Sequence, residues 1–297
     1  MKKIIIAGAG GFVGCNLTNK LIEKGYYVIA LSNKFNENFP VHHNAVQITT
    51  EIDSYDNLIN IIPDGDYDAF YNLAWRGVNG SEKADPIIQL DNIQMAINCA
   101  KVAKAMNCKK YLCAGTIAER GTDSIPSLKN TSGGMAYAVA KNCAHQMLEF
   151  YCKNIDLDFV WMQFSNIYGP SNKTGNLVSY TLEQIKKNEM ATFGPAQQPY
   201  DFIFIDDLIE AVVRLGTMKT SCNFYFIGSG TPRILLDYLK TIGEICNHPE
   251  LIKIGERPDD GIKYTFDMFD ISKLLNDIGE YVSGKFEEHI RFTVDNY

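Results

Sequence analysis

The sequence contains no apolar run near the roughly 18 residues that a membrane-spanning helix needs, so no membrane segment is expected. Lysine and arginine total 28 against 35 acids, a net charge of −7, and form no cluster. Without a basic patch the chain carries no electrostatic footprint for nucleic acid. No C-x-x-C occurs among the eight cysteines, and several fall inside apolar helical patterns. They read as buried thiols of a reducing, cytoplasmic compartment and not as a disulfide framework. The five histidines are scattered; His42-His43 is the only adjacent pair, and neighbours in sequence do not share a helix face, so no metal site is expected. Internal repeats, low-complexity tracts and long charge blocks are absent as well. What is left is 297 residues, 46% of them hydrophobic, enough for one large domain or two modest ones around a sizeable core.

The opening MKKIIIAGAGGFVGCNL has two readings, a secretory leader or a strand running into a glycine loop. Ile4-Ile5-Ile6-Ala7 is too short for the apolar part of a leader, and Phe12 and Asn16 follow instead of a cleavage site. A first buried strand fits better. FVGCNLTNKLIEKG then places Val13, Leu17 and Leu21 on one helical face and stops at Gly25, a natural C-cap. YYVIALS and AVQITTE read as strands, a helix is expected over about 54–62, and YDAFYNLAW is strand-like again. Helices over about 86–107 and 135–153 flank the strand KKYLCAGT, and DFVWMQFSNIYG follows.

Such alternation, with near-continuous apolar strands, implies a parallel sheet covered on both faces. The fold class is therefore α/β, a Rossmann-type doubly wound parallel sheet. Beyond Gly169-Pro170 the texture changes to a helix over about 177–188, short strands, YDFIFIDDLIEAVVRLG and Gly/Pro-rich pieces. These predict a smaller, interleaved C-terminal substrate-binding domain. The expected division gives residues 1–165 plus about 196–222 to the Rossmann domain, and about 166–195 with 223–297 to the cap.

Gly8, Gly11 and Gly14 lie between the first strand and the first helix. Glycine there lets the chain turn sharply and lets its backbone approach a pyrophosphate, which rests on the positive end of the helix dipole. With a strand before, a helix after and a second strand at the right distance, the loop points to a bound dinucleotide. At the end of that second strand stand Ser32, Asn33 and Lys34. An acid there would hold the 2′-hydroxyl of NAD, whereas a small polar residue beside a cation tolerates a 2′-phosphate, so NADP is expected, with NAD as the alternative.

Tyr137-Ala-Val-Ala-Lys141 falls on a predicted helix, which puts phenol and ammonium one turn apart on one face. A lysine ammonium beside a phenol favours the phenolate and prepares the tyrosine for proton transfer. The strand KKYLCAGT ends at Thr116, whose hydroxyl can meet the same substrate oxygen.

Taken together, GAGGFVG, Asn72-Leu73-Ala74, Asn92, the Thr116 strand, YAVAK, NIYGP at 166–170 and DFIFIDDLIEA at 201–211 resemble the extended short-chain dehydrogenase/reductases, the family of nucleotide-sugar epimerases, dehydratases and reductases. The resemblance covers nearly the whole chain. It implies that Tyr137 is the acid/base, that Lys141 orients the nicotinamide ribose and tunes Tyr137, and that Thr116 binds the reacting oxygen. Gly8, Gly11, Phe12, Val13, Gly14, Ser32, Asn33, Lys34, Leu73, Ala74 and Asn92 would join them around the dinucleotide. Asn166 would contact the substrate diphosphate or nearby backbone, and the protein would be a homodimer.

The same resemblance narrows the reaction. The 4,6-dehydratases carry an Asp-Glu pair directly after the catalytic hydroxyl, where this chain has Ile117-Ala118, and GDP-fucose synthases carry a cysteine at the position of Ala118. That leaves hydride transfer at one sugar carbon: NADPH-dependent reduction of a 4-keto nucleotide-sugar, with a 4-epimerase that retains its NAD(P) as the alternative. Three residues depart from the family pattern: Gln163 and Tyr200 stand where arginines are usual, and Arg120 replaces a tyrosine. Arg257 matches a second phosphate-contacting arginine, and Arg76 and Arg120 are further candidates to reach the cleft. Tyr200 also keeps open a carbonyl reductase of a non-nucleotide substrate.

Overall fold

The computed structural model describes residues 2–37, 39–52, 54–128, 134–259 and 261–297. Six strands rich in β-branched and aromatic residues come first: β1 (Lys3–Ala7), β2 (Tyr27–Ser32), β3 (Ala45–Thr49), β4 (Ala69–Asn72), β5 (Lys110–Thr116) and β6 (Asp158–Phe164). Shorter pieces follow, β7 (Asn166–Tyr168), β8 (Ala191–Phe193), β9 (Pro199–Tyr200) and β10 (Phe202–Phe204), and then β11 (Phe224–Ile227). The central sheet has seven strands in the order β11-β6-β5-β4-β1-β2-β3, and every neighbouring pair is parallel.

Consecutive residues of these strands supply two separate cores. Ile4, Ile6, Val28, Ala30, Leu112 and Met162 pack on one face, whereas Ile5, Ala7, Ile29, Leu31, Cys113 and Trp161 pack on the other. Burial on both faces is why the strands read as unbroken apolar runs. The helices that cover them are α1 (Phe12–Glu23), α2 (Tyr55–Ile61), α3 (Pro86–Ala105), α4 (Gly134–Asn154) and, beyond α5 (Leu177–Lys186), which packs on β8, α6 (Ile205–Thr217). Leu17, Leu21 and Leu208 place α1 and α6 on the first face; Ala96, Ala100 and Ala144 place α3 and α4 on the second.

Local chemistry sets the helix ends. After α1, Gly25 has φ +79°, and Gly25 N and Tyr26 N donate to Ile22 O and Leu21 O at 2.9 Å each. This paired closure satisfies two terminal carbonyls and uses the left-handed conformation that glycine adopts without strain. At α3 the Asp85 carboxylate accepts from Ile87 N at 2.8 Å and Ile88 N at 3.3 Å, with Pro86 in the first turn, where no amide proton is needed.

One strand departs from the expected division. Strand β11 falls inside the stretch 223–297 assigned above to the cap, yet it pairs with β6, Phe224 opposite Trp161 and Ile227 opposite Phe164. Strand β11 thus belongs to the central sheet, and the sequence hid it because four residues following an irregular segment show too little periodicity to place them. The remaining elements are β12 (Arg233–Ile234), α7 (Leu235–Ile245), β13 (Ile252–Ile254), α8 (Ser272–Ile278) and α9 (Phe286–Asp295). Buried Asp207 on α6 accepts from Ser283 N at 2.9 Å and Ser283 Oγ at 2.6 Å, fastening the chain ahead of α9 to the sheet domain. All eight cysteines are free thiols, and no helix among the described residues is long and apolar enough to cross a membrane. Leu208 is fully buried on α6 within the first core. Leu208→Ala is expected to lower stability by about 2–5 kcal/mol, to be checked by urea unfolding.

Candidate active site

The strand order reverses between β1 and β4, and the loops leaving their carboxyl ends part around a crevice. A cavity of about 510 Å³ opens there, walled by the glycine loop, the ends of β2, β4, β5 and β6, and helix α4. On its wall lie Gly8, Gly11, Phe12, Val13 and Gly14; Ser32, Asn33 and Lys34; and Leu73 and Ala74. Thr116, Tyr137, Lys141, Arg76 and Asn166 line it too. The structure thus gathers on one surface residues from across more than half of the chain.

The glycine loop fits a pyrophosphate. Gly8 has φ +82°, and a Cβ there would lie 2.7 Å from Ala74 N. A Cβ at Gly14 would overlap Gly8 O and sit 2.7 Å from Ala9 Cα. Gly11 differs: its Cβ would meet nothing closer than 3.4 Å, and the residue lines the cavity, so the missing side chain leaves room for a ligand. Gly11 is also the N-cap of α1 and gives it no side-chain cap, which leaves the amides of the first turn to a ligand anion.

At the other end of the cavity, α4 presents Tyr137 and Lys141 one turn apart. Lys141 is buried. Its Nζ donates to Ala114 O at 2.6 Å and lies 3.7 Å from the centre of the Trp75 ring. Burial pushes the Lys141 ammonium down to about 8, against the opposing pull of Cys113 and Glu119. Desolvation holds the Tyr137 phenol well above its ordinary range, partly offset by a hydrogen bond with Thr116. Tyr137 is thus coupled to Thr116, while Lys141, one turn along α4, is held by Ala114 O.

Sequence reasoning missed Trp75, which lines the cavity between Leu73-Ala74 and Arg76. Its ring stands edge-on to Tyr137 at 6.3 Å, and its Nε1 donates to Gln89 Oε1 at 2.8 Å. Gln89 is itself buried and donates to Gly77 O and Glu82 O, at 3.0 and 3.2 Å. The available signal was a tryptophan, one of two in the chain, directly after Asn72-Leu73-Ala74.

Three expected residues do not line the cavity. Asn92 is buried, and both ends of its amide are used on Arg76: Nδ2 donates to Arg76 O and Oδ1 accepts from Arg76 N, each at 2.8 Å. It fixes the cavity's edge and does not form its wall. Arg257 is turned to the cap, where Nε donates to Thr192 Oγ1 at 2.9 Å and Nη2 to Tyr180 OH at 2.7 Å. Arg120 points away from the cleft: Nε donates to Gln163 Oε1 at 2.5 Å, and the guanidinium packs on Phe226 and Phe224, 5.1 and 5.8 Å from the ring centres. Arg76 remains at the cavity, with Asp91 3.6 Å from its guanidinium. Tyr200 OH donates to Asn166 Oδ1 at 2.9 Å, and Asn166 Nδ2 to Asp201 O at 3.0 Å, so Tyr200 holds this asparagine in place.

The profile of the NAD dependent epimerase/dehydratase family matches residues 4–228. The chain belongs to that family. Among curated relatives, CDP-abequose synthase of Salmonella muenchen is 24% identical over 265 residues, covering 82% of this chain and 79% of that protein. Among solved structures, the UDP-glucose 4-epimerase of Thermotoga maritima with UDP-glucose superposes with a TM-score of 0.82 at 21% identity, covering 99% of this chain and 98% of that one. The Bordetella bronchiseptica enzyme WbmH in complex with NAD+ gives 0.81 at 22% identity, covering 100% and 98%. At such identities the structural likeness speaks for the fold alone, a Rossmann-type α/β fold around a seven-stranded parallel sheet.

Within this family member the glycine contacts predict a measurable conflict. Alanine has the better helix propensity by about 1 kcal/mol, yet at Gly14 its methyl would press on the backbone of Gly8 and Ala9, which cannot swing away. Overpacking wins: Gly14→Ala is expected to lose about 1–3 kcal/mol of stability and to weaken dinucleotide binding, checked by urea unfolding and by titration with NADH and NADPH.

Proposed function

We propose that this family member transfers hydride between a nicotinamide dinucleotide and one carbon of a nucleotide-linked sugar, reducing a 4-keto group, with Tyr137 as acid/base. One observation carries the reading. Among the described cavity-lining residues the only carboxylate is Glu51, and no thiol is present. Glu51 lies with the Ser32–Lys34 end of the site in the loop after β3, which pairs with β2. Water elimination needs an acid and a base at neighbouring carbons, and epimerisation by carbon deprotonation needs a second proton carrier. The reaction end offers no carboxylate or thiol for either, whereas hydride transfer to a carbonyl needs one proton donor.

When bound, the dinucleotide supplies the hydride. The chain's own part is to hold the carbonyl oxygen between Thr116 and Tyr137, to deliver a proton from the Tyr137 hydroxyl, and to keep the Lys141 charge beside that phenol as it becomes a phenolate. Arg76 and Asn166, both on the wall, would contact the diphosphate-linked part of the substrate; Arg257 would do so after release from Tyr180 and Thr192. NADPH is the proposed donor, because the strand-end position for a ribose-binding acid is Ser32, whose Oγ donates to the Lys34 backbone O at 2.8 Å, with Lys34 itself on the cavity wall.

A 4-epimerase with retained cofactor is the second reading, favoured by the fold likeness to the Thermotoga maritima UDP-glucose 4-epimerase. Thermal-shift screening with UDP, GDP, CDP and dTDP names the nucleotide, and absence of any shift argues against a nucleotide-sugar. Oxidation of NADPH by the matching 4-keto-6-deoxyhexose nucleotide supports reduction. Interconversion of 4-epimers without added cofactor supports the second reading. In either case Tyr137→Phe should lower turnover about 10²–10⁴-fold while dinucleotide affinity stays within a few-fold of the parent.

The proposed enzyme is a homodimer. Helices α3 and α4 leave large apolar side chains in water, among them Leu90 at 61% and Phe150 at 71% exposure, with Ile87, Val139 and Met147 alongside. Val139, Met147 and Phe150 recur at helical spacing on one face of α4, and exposed apolar faces of this kind mark association surfaces. Phe150→Glu should convert the dimer to a monomer in light scattering.

A further inference from the structure

The three departures from the family pattern include two, Gln163 and Arg120, that the cleft does not use. Both belong to a buried polar network centred on Glu119, which does not line the cavity. Glu119 Oε1 accepts from Thr116 N at 2.6 Å, and Oε2 accepts from Trp161 Nε1 at 3.0 Å and Gln163 Nε2 at 3.1 Å. The other end of the Gln163 amide accepts from Arg120 Nε at 2.5 Å. Glu119 is 5% exposed and Gln163 3%. Gly115 belongs to the same arrangement: a Cβ there would overlap Trp161 Nε1 and lie 2.7 Å from Glu119 Oε1.

The network adjoins the lysine of the site. Lys141 Nζ donates to Ala114 O and Glu119 accepts from Thr116 N, two residues along one strand. Lys141 Nζ also lies 5.9 Å from the centre of the Trp161 ring whose nitrogen edge holds the carboxylate. Lys141 forms no salt bridge within 4.0 Å among the described residues, and Glu119 is the acid whose charge favours its ammonium. A buried acid with three donors stays ionised at less cost than an unpaired one, and a buried ammonium gains most from such a neighbour.

We propose that Glu119 is a positioning residue of this site: its carboxylate pins the backbone of Thr116 against Tyr137 and faces Lys141 as the counter-charge. This rests on the reading of Thr116, Tyr137 and Lys141 as the reaction centre. The charged and titratable groups acting on Lys141 are Cys113 on β5 and Glu119 after it, with Tyr137 one turn away on α4; those around Glu119 are Lys141, Cys113, Tyr137 and Arg120, and Arg120 also faces Asp267 and Asp270. Glu119 and Lys141 support each other's charge, although burial opposes both. Gln163 and Arg120 then orient the acid from behind, which gives the two departures a shared cause.

The test is the pH dependence of NADH and NADPH dissociation constants, read by nicotinamide fluorescence, in the parent protein, Glu119→Gln, Glu119→Asp and Lys141→Ala. Losing an opposing charge lowers a lysine by about one pKa unit or more, so Glu119→Gln should bind roughly fivefold more weakly at pH 8 and unchanged at pH 6. Glu119→Asp keeps the charge and should keep the parental profile. If Glu119→Gln does not fold, judged by circular dichroism, the Glu119→Gln/Gln163→Glu pair is measured instead; it retains a buried carboxylate beside Arg120 but moves it from Thr116, and the same shift is expected. A parental profile in the folded Gln variant, or in the pair, overturns the proposal. Lys141→Ala separates the two readings: if it leaves the profile unchanged, the assignment of Lys141 fails; if it flattens the profile while Glu119→Gln does not alter it, only the role of Glu119 fails.

Discussion

The close approach of the β1 and β4 loops is the constraint on which the site depends. Gly8 lies against the backbone of Leu73 and Ala74 so tightly that a methyl group would displace them. That contact joins the two strands between which the sheet order reverses. It sets the crevice width, aims the N-terminus of α1 into it, and brings the segment that carries Trp75 and Arg76 opposite Thr116. Gly14 completes the fit by letting α1 pack on the same loop. A parallel sheet buried on both faces makes the contact rigid, because neither strand can shift without carrying its side chains out of one core or the other.

Chemistry at the far end is organised by desolvation. Tyr137 and Lys141 are both held away from water, which drives each toward its neutral form against the few polar groups within reach. Thr116 and Ala114 O meet them from the strand, the Trp75 ring covers the lysine, and Glu119 stands behind. The tryptophan is in turn locked by Gln89. Much of the site's definition thus comes from residues that never touch its surface.

A good part of this was legible in the sequence. The helix α1 with its glycine closure, the apolar strands, and Thr116, Tyr137 and Lys141 stand at positions that local pattern picks out, because strand and helix periods and glycine spacing are short-range properties. β11 was not legible, since four residues carry almost no period. Arg120, Gln163, Asn92 and Arg257 were read as ligand-binding or lost ligand-binding positions, and the fold uses three of them to hold neighbouring protein groups and turns Arg257 to Tyr180 and Thr192.

By itself, then, the amino-acid order determined an α/β doubly wound domain with a dinucleotide loop and a tyrosine-lysine pair, because each rests on contacts within a few residues of chain. Only the tertiary structure decided which polar side chains face the cavity and which are spent inside the protein. Glu119 lies three residues after Thr116 but turns beneath the strand to Trp161 and Gln163, more than 40 positions away. Direction of that kind depends on which distant donors can satisfy a buried acid, and that is fixed only when the sheet has brought them together.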